Sequence, residues 1–145
     1  MKKYISREKY LEKILPFIQK EIIKVFVGQR RVGKSYLMYQ IIDFLLQQNA
    51  ANHIIYINKE LNEFDSLKNY QQFYDFVKSK SLTNTTNYLF IDEIQNISGF
   101  ENALKSLIAE GNYDIYCTGS NANLLSGELA TFLSGRYIEF NVYLI

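Results

Sequence analysis

The fold of this 145-residue chain is decided by one stretch, Gly28-Gln29-Arg30-Arg31-Val32-Gly33-Lys34-Ser35. It fits the pattern G-x-x-x-x-G-K-[ST] at every fixed position. The stretch follows an apolar, β-branched run over residues 22–27, which predicts a buried strand that ends in a tight loop. Helical periodicity resumes over residues 36–45. Strand, glycine loop and helix stand in the order that a phosphate-binding loop (P-loop) requires, which argues against a chance glycine-rich turn.

The residue types in this loop suit a nucleotide. Glycines at positions 28 and 33 let the backbone curl, so that successive N–H groups and the positive end of the next helix point at phosphate oxygens. Lys34 can reach the β- and γ-phosphates, and Ser35 supplies a hydroxyl ligand for Mg²⁺. We expect nucleotide contacts from the loop and the residue after it, which are Gly28, Gln29, Arg30, Arg31, Val32, Gly33, Lys34, Ser35 and Tyr36.

An acidic pair, Asp92 and Glu93, ends the apolar run at residues 88–91. That run predicts a third strand, so both carboxylates should lie at the carboxyl edge of the sheet, where ligands bind in open α/β folds. Hydrolysis needs a carboxylate near the metal and a group that orients or deprotonates the attacking water. We assign Asp92 to Mg²⁺ and Glu93 to the catalytic water. A solvated pair at a strand end is the alternative.

Three further candidates rest on weaker patterns. Asn58 ends the second predicted strand, where its amide can hold Glu93 or can simply be a polar residue leaving a strand. Thr118 ends the fourth predicted strand and can sense the γ-phosphate, although turn-forming residues are expected there anyway. Arg136 precedes the fifth predicted strand. It can act as an arginine finger on a neighbouring subunit's nucleotide, or it can form a structural salt bridge.

The predicted elements alternate along the chain. Strands are expected at residues 22–27, 53–58, 88–91, 114–118 and 137–143, with helical patterns between them. Other helical patterns cover residues 6–20, broken by Pro16, and a segment opened by a capping box of Ser98 and Glu101 and ended by Gly111. Alternating strands and helices predict an α/β fold in three layers, with helices on both faces of a five-stranded, mainly parallel sheet.

Composition sets limits on partners and location. A chain that is 48% apolar and 21% charged is typical of an ordinary folded domain. A net charge of +1 gives nucleic acid no support as a partner, although it remains open. No apolar run approaches the ~20 residues of a membrane span, so no membrane partner is expected. With no export signal and a single cysteine, Cys117, which we expect to be buried in a strand, the sequence indicates a cytoplasmic protein.

Together these residues resemble the motifs of a prokaryotic AAA-type ATPase family. The resemblance is carried by the segments 27–35, 89–95, 118–121 and 133–136, and it covers nearly the whole chain. It implies the additional-strand type of P-loop NTPase, in which the fourth strand lies between the strands that carry the loop and the acidic pair. It also implies ATP as the nucleotide. Asp92 and Glu93 would be the Walker B pair, Thr118 or Ser120 would lie in the sensor 1 region, and Arg136 matches the family's Gly-Arg.

The chain departs from the family pattern at its end. Family members continue with a Pro-Leu-Ser-Phe type segment, a helical lid and a C-terminal domain, whereas residues 142–145 are Val-Tyr-Leu-Ile. We therefore expect residues 1–145 to be an ATPase core truncated before the lid and C-terminal domain. The predicted function is Mg²⁺-dependent ATP hydrolysis coupled to an absent partner domain or substrate, with a homo-oligomer left open. The alternative is a nucleotide-gated binding switch with little turnover.

Overall fold

The computed structural model describes residues 11–20, 22–28, 33–58, 64–120, 124 and 127–142. In chain order the elements are β1 (Ile23–Val27), α1 (Lys34–Gln48), β2 (His53–Asn58), α2 (Tyr70–Lys80), β3 (Asn87–Asp92), α3 (Phe100–Glu110), β4 (Tyr113–Gly119), α4 (Gly127–Leu133) and β5 (Tyr137–Asn141). Short 3₁₀ turns cover Leu15–Phe17 and Ile94–Asn96. Among the described helices, none is long and apolar enough to cross a membrane. The predicted alternation of strands and helices is confirmed.

The five strands form one sheet in the order β2-β3-β4-β1-β5, and every neighbouring pair is parallel. The fourth strand therefore lies between β1 and β3, as the additional-strand architecture requires. Because all strands run the same way, their carboxyl ends meet at one edge of the sheet. The ladder aligns Val27 with Gly119 and Asn58 with Asp92. The P-loop and the acidic pair are thus brought to the same edge from different strands.

Two hydrophobic clusters cover the two faces of the sheet. On one face Val25 and Ile91 pack with apolar residues of α2 and α3, such as Phe73 and Leu104. On the other face the cluster includes residues of β1, β3, β4 and α1 and two residues before β1, namely Phe26, Phe90, Tyr116, Leu37, Met38, Ile41, Leu45, Ile14 and Ile18. Cys117 is fully buried in the middle of β4, as expected, and burial raises the pKa of its thiol to about 12. The sheet is therefore the middle of three layers.

The start of α3 differs from the prediction. The predicted capping box of Ser98 and Glu101 is wrong, because Gly99 is the N-cap, with φ of 72°, and no side chain caps the helix. Ser98 instead pairs through its backbone with the segment before α2. A Cβ on Gly99 would lie 3.0 Å from Tyr70 Cδ1, so glycine suits both the turn and the contact. Gly111 ends the helix as predicted, with φ of 84°.

The two ends of the described chain agree with the predictions in outline. Residues 11–14 are helical and continue into the 3₁₀ turn that contains Pro16, while residues 1–10 of the predicted first helix lie outside the described residues. Between the fourth and fifth predicted strands, where a helical pattern was expected, the described helix begins at Gly127. The last strand ends at Asn141, and position 143 is outside the described residues.

A buried ion pair joins β1 to β4 near their amino ends. Lys24 is fully buried, and its Nζ lies 2.5 Å from Asp114 Oδ1 and 2.9 Å from the Lys20 carbonyl oxygen. The other carboxylate oxygen of Asp114 accepts hydrogen bonds from the Tyr116 hydroxyl at 2.6 Å and from the Gln19 backbone N–H at 3.0 Å. A buried charge is tolerated when it is paired and hydrogen-bonded in this way. This network ties the segment before β1 to the centre of the sheet.

We predict that Asp114→Ala lowers the free energy of unfolding by about 3–5 kcal/mol, because it leaves the Lys24 ammonium buried without its partner. Lys78→Ala is the matched control, since it breaks the exposed pair of Lys78 and Glu110. Water screens that pair, so the control should cost much less. Urea denaturation of both variants measures the difference, and similar losses would contradict a structural role for the buried pair.

Candidate nucleotide-binding site

The P-loop joins β1 to α1 at the carboxyl edge of the sheet. Gly28 follows β1, and its backbone N–H donates to the Gly119 carbonyl oxygen at 3.2 Å. Gly33 is the N-cap of α1 in the left-handed conformation, with φ of 95°, and as a glycine it has no side chain to cap the helix. The first N–H groups of this 15-residue helix are therefore available to an anion. The predicted contacts Gln29, Arg30, Arg31 and Val32 lie outside the described residues.

The Lys34 ammonium lies at the centre of the site. Its side chain is 3% exposed, and Nζ donates to the carbonyl oxygens of Gly28 at 2.6 Å and Gly119 at 3.0 Å. It also donates to Ser120 Oγ at 3.2 Å and lies 3.4 Å from Glu93 Oε2. One cation thus contacts the start of the P-loop, the end of β4 and Glu93 of the acidic pair.

The two predicted metal ligands lie together. Ser35 Oγ donates a hydrogen bond to Asp92 Oδ2, while Thr118 Oγ1 donates to Asp92 Oδ1 at 2.5 Å. A hydroxyl and a carboxylate are hard oxygen ligands of the kind that Mg²⁺ prefers. The residues present therefore fit a Mg²⁺ ion held between α1 and β3. The Tyr56 hydroxyl lies 3.4 Å from Asp92 Oδ2, and burial, together with a hydrogen bond to Tyr39, raises the pKa of Tyr56 above its usual value.

Glu93 is held by several donors. Its backbone adopts the left-handed conformation, with φ of 57°, and its N–H donates to Thr118 Oγ1 at 2.8 Å. Carboxylate oxygen Oε1 accepts hydrogen bonds from Gln95 Nε2 at 2.6 Å and Ser120 Oγ at 2.8 Å. Burial alone would raise the pKa of Glu93, but the hydrogen bonds from Gln95 and Ser120 and the charge of Lys34 outweigh it, so the pKa is lowered. Both sensor candidates therefore contact the acidic pair, Thr118 through Asp92 and the backbone and Ser120 through the Glu93 carboxylate.

The remaining predicted residues lie at both edges of the sheet. Asn58 is largely buried and pairs in the ladder with Asp92, one residue before Glu93. Tyr36 is in the first turn of α1 and is 45% exposed. Arg136 precedes β5 at the amino edge of the sheet, and its Nε donates to the Leu133 carbonyl oxygen at 3.1 Å. The fold therefore brings Asn58 and Tyr36 to the carboxyl edge but places Arg136 at the opposite edge.

Comparison with known proteins agrees with this geometry. A family model described as an AAA domain matches residues 20–145. The chain belongs to the AAA domain family. A protein of Haemophilus influenzae, named only as uncharacterized, is 45% identical to this AAA domain over 144 residues, which make up 98% of the chain and 36% of that protein. The chain thus spans about a third of the length of this relative.

Solved structures share the fold of this AAA domain. The Drosophila ORC bound to AT-rich DNA and Cdc6 matches 97% of the chain with a TM-score of 0.60 and 10% identity, over 55% of the matched chain. The Saccharomyces cerevisiae Hsp104:casein complex in its extended conformation matches 98% of it with a TM-score of 0.59 and 16% identity, over 27% of the matched chain. These likenesses confirm the three-layer P-loop fold.

Two residues of the site have no role assigned by the sequence. Gln95 ends the segment 89–95 that carries the family resemblance, and its amide contacts Glu93. Tyr56 precedes Asn58 by two positions, so the two side chains lie on the same face of β2. That spacing is the available signal for Tyr56. For Gln95 the signal is proximity in sequence alone, because the turn that directs its side chain back to Glu93 depends on the left-handed backbone there.

We predict that Thr118→Val costs about 1–3 kcal/mol of unfolding free energy, because the buried Glu93 N–H would lose its acceptor and Asp92 would lose a donor. Thr118→Ser keeps the hydroxyl and is the matched control, with the smaller loss expected. Chemical denaturation compares the two variants. A valine variant as stable as the wild type would show that the hydroxyl does not hold the acidic pair.

Proposed function

We propose that this AAA domain binds MgATP and hydrolyses it, and that hydrolysis drives a change felt by a partner domain or substrate. One observation carries the proposal: the Lys34 ammonium lies between the P-loop and Glu93, beside the Ser35 and Asp92 pair. Cation, metal ligands and candidate base thus meet at the N-terminus of α1. ATP, rather than GTP, is proposed on membership of the AAA domain family. Nucleic acid is not part of the proposal, since the net charge is +1.

Each residue then has a distinct task. Lys34 would exchange its contact with Glu93 for oxygens of the β- and γ-phosphates, which leaves Glu93 Oε2 free to accept a proton from water. Ser35 and Asp92 would hold Mg²⁺, which when bound neutralises charge on the phosphates. Thr118 keeps the carboxylate of Asp92 and the backbone of Glu93 in a fixed relation.

A second candidate is a nucleotide-gated switch with little turnover. The contacts of the Glu93 carboxylate favour this candidate. Gln95 and Ser120 donate to Oε1, and Lys34 lies next to Oε2. If those contacts persist with nucleotide bound, Glu93 stays unable to activate water, and occupancy itself is the signal. Turnover of a Glu93 variant distinguishes the two candidates.

We expect Lys34→Ala to weaken MgATP binding about 10- to 150-fold, because it removes hydrogen bonds from a charged donor to the phosphates. Glu93→Gln should keep the affinity and lose about 10²- to 10⁴-fold in turnover, because an amide cannot accept the proton. Nucleotide titration and a phosphate-release assay measure the two effects, with Lys78→Ala as an exposed lysine control.

Two outcomes would contradict these assignments. Undiminished binding by Lys34→Ala would remove the P-loop assignment. Equal turnover of Glu93→Gln and wild type would exclude Glu93 as the base and leave the switch as the better account.

We further propose that Arg136 acts on the nucleotide of a neighbouring copy. Its place at the amino edge, away from the P-loop of its own chain, supports action between subunits. An arginine supplied in this way stabilises charge in the transition state.

Mixing two inactive variants tests this proposal. Arg136→Ala and Lys34→Ala should each turn over slowly, yet an equimolar mixture should regain activity, since a copy with an intact Lys34 can meet a copy with an intact Arg136. The gain should increase with protein concentration. A mixture no more active than the mean of its components would contradict action between subunits.

A further inference from the structure

Gln95 contacts Glu93 more closely than any other described side chain does. Its Nε2 lies 2.6 Å from Glu93 Oε1, compared with 2.8 Å for Ser120 Oγ and 3.4 Å between Lys34 Nζ and Oε2. Gln95 and Ser120 therefore share one carboxylate oxygen, while Lys34 faces the other. A charged ammonium gains more from an incoming phosphate than a neutral amide or hydroxyl does, so Lys34 is the contact most readily drawn away from Glu93.

The turn that carries Gln95 is fixed at both ends. It begins at the left-handed Glu93, and the N–H of Asn96 donates to the Glu93 carbonyl oxygen at 3.1 Å. Ile94 and Ile97 are fully buried in the core on either side of Gln95. Because these anchors fix the turn, the Gln95 side chain lies beside the acidic pair. The side chain of the next residue, Asn96, is exposed to solvent.

The end of β4 leaves room for the Gln95 amide. A Cβ on Gly119 would come 3.1 Å from Gln95 Oε1 and 2.6 Å from Leu124 Cδ2. The amide thus lies against the glycine backbone. Gln95 Oε1 is buried and accepts no hydrogen bond from any described residue, so the amide is oriented by the Nε2 bond to Glu93 and not by a bond to its oxygen.

We propose that Gln95 is a positioning residue for the Glu93 carboxylate, holding Oε1 together with Ser120 so that Oε2 is the oxygen that takes the proton from water. This inference rests on the proposed ATPase function. When Lys34 turns to the phosphates, the two neutral donors remain, and Glu93 keeps its orientation with one oxygen free. The described contacts of Gln95 are with Glu93 and the end of β4, and they include neither Lys34 nor Ser35, so its effect should fall on turnover and not on binding.

The test compares three variants at position 95 and its neighbour. Gln95→Met keeps the length and packing of the side chain but has no donor, and Gln95→Glu keeps the shape but places a second carboxylate against Glu93. Both should lower kcat about tenfold or more, equivalent to the loss of one hydrogen bond to a charged group, with KM and the Kd for ADP within about twofold of wild type. Asn96→Ala, an exposed residue on the same turn, is the matched control and should match the wild type.

A double variant separates positioning from mere stability. Because Gln95 acts through Glu93, Gln95→Met should cause little further loss when combined with Glu93→Gln. A full additional loss in the double variant, or an unchanged kcat in Gln95→Met while Glu93→Gln is slow, would overturn the role of Gln95 alone. Equal turnover of Glu93→Gln and wild type would instead overturn the proposed ATPase function, and the inference with it.

Discussion

The site depends on one buried cation, the ammonium of Lys34. Four groups that come from three separate parts of the chain converge on it: a P-loop carbonyl, the last carbonyl of β4, the Ser120 hydroxyl and the Glu93 carboxylate. A buried ammonium needs such partners, because desolvation without them is costly. With these partners the Lys34 ammonium can move to a ligand, because an incoming anion offers it a stronger contact than two neutral carbonyls and a carboxylate that also binds Gln95 and Ser120.

The strand order determines which residues can meet around that cation. Since β4 lies between β1 and β3, its last residues stand between the P-loop and the acidic pair. A single hydroxyl, that of Thr118, can therefore contact both Asp92 and the backbone of Glu93. With β3 directly beside β1, no such intermediary would exist, and the two motifs would touch without a group between them.

Sequence alone predicted the parts of this site that are written as local patterns. The P-loop and the acidic pair were identified because the spacing of glycine, lysine and carboxylates reflects chemistry within a few residues. Strand order came only from the family resemblance, because parallel pairing joins residues far apart in the chain. The contacts of Gln95 with Glu93 and of Tyr56 with Asp92 depend on a left-handed backbone and on cross-strand geometry, which no short pattern records. The burial of Lys24 was not predicted either, because a single charged residue in an apolar run leaves the strand pattern unchanged.

The Lys24 and Asp114 network makes the two edges of the sheet electrostatically different. We call the edge at the amino ends of the strands the amino pole and the edge at their carboxyl ends the carboxyl pole. At the amino pole the opposite charges satisfy one another, and the surrounding hydroxyl and backbone groups complete the pair. At the carboxyl pole the pairing of charges can change, because an incoming anion can replace the partners of the Lys34 ammonium. Both poles lie on the same strands, β1 and β4. Rearrangement around a ligand can thus be confined to the carboxyl pole, while the buried pair keeps the amino pole fixed.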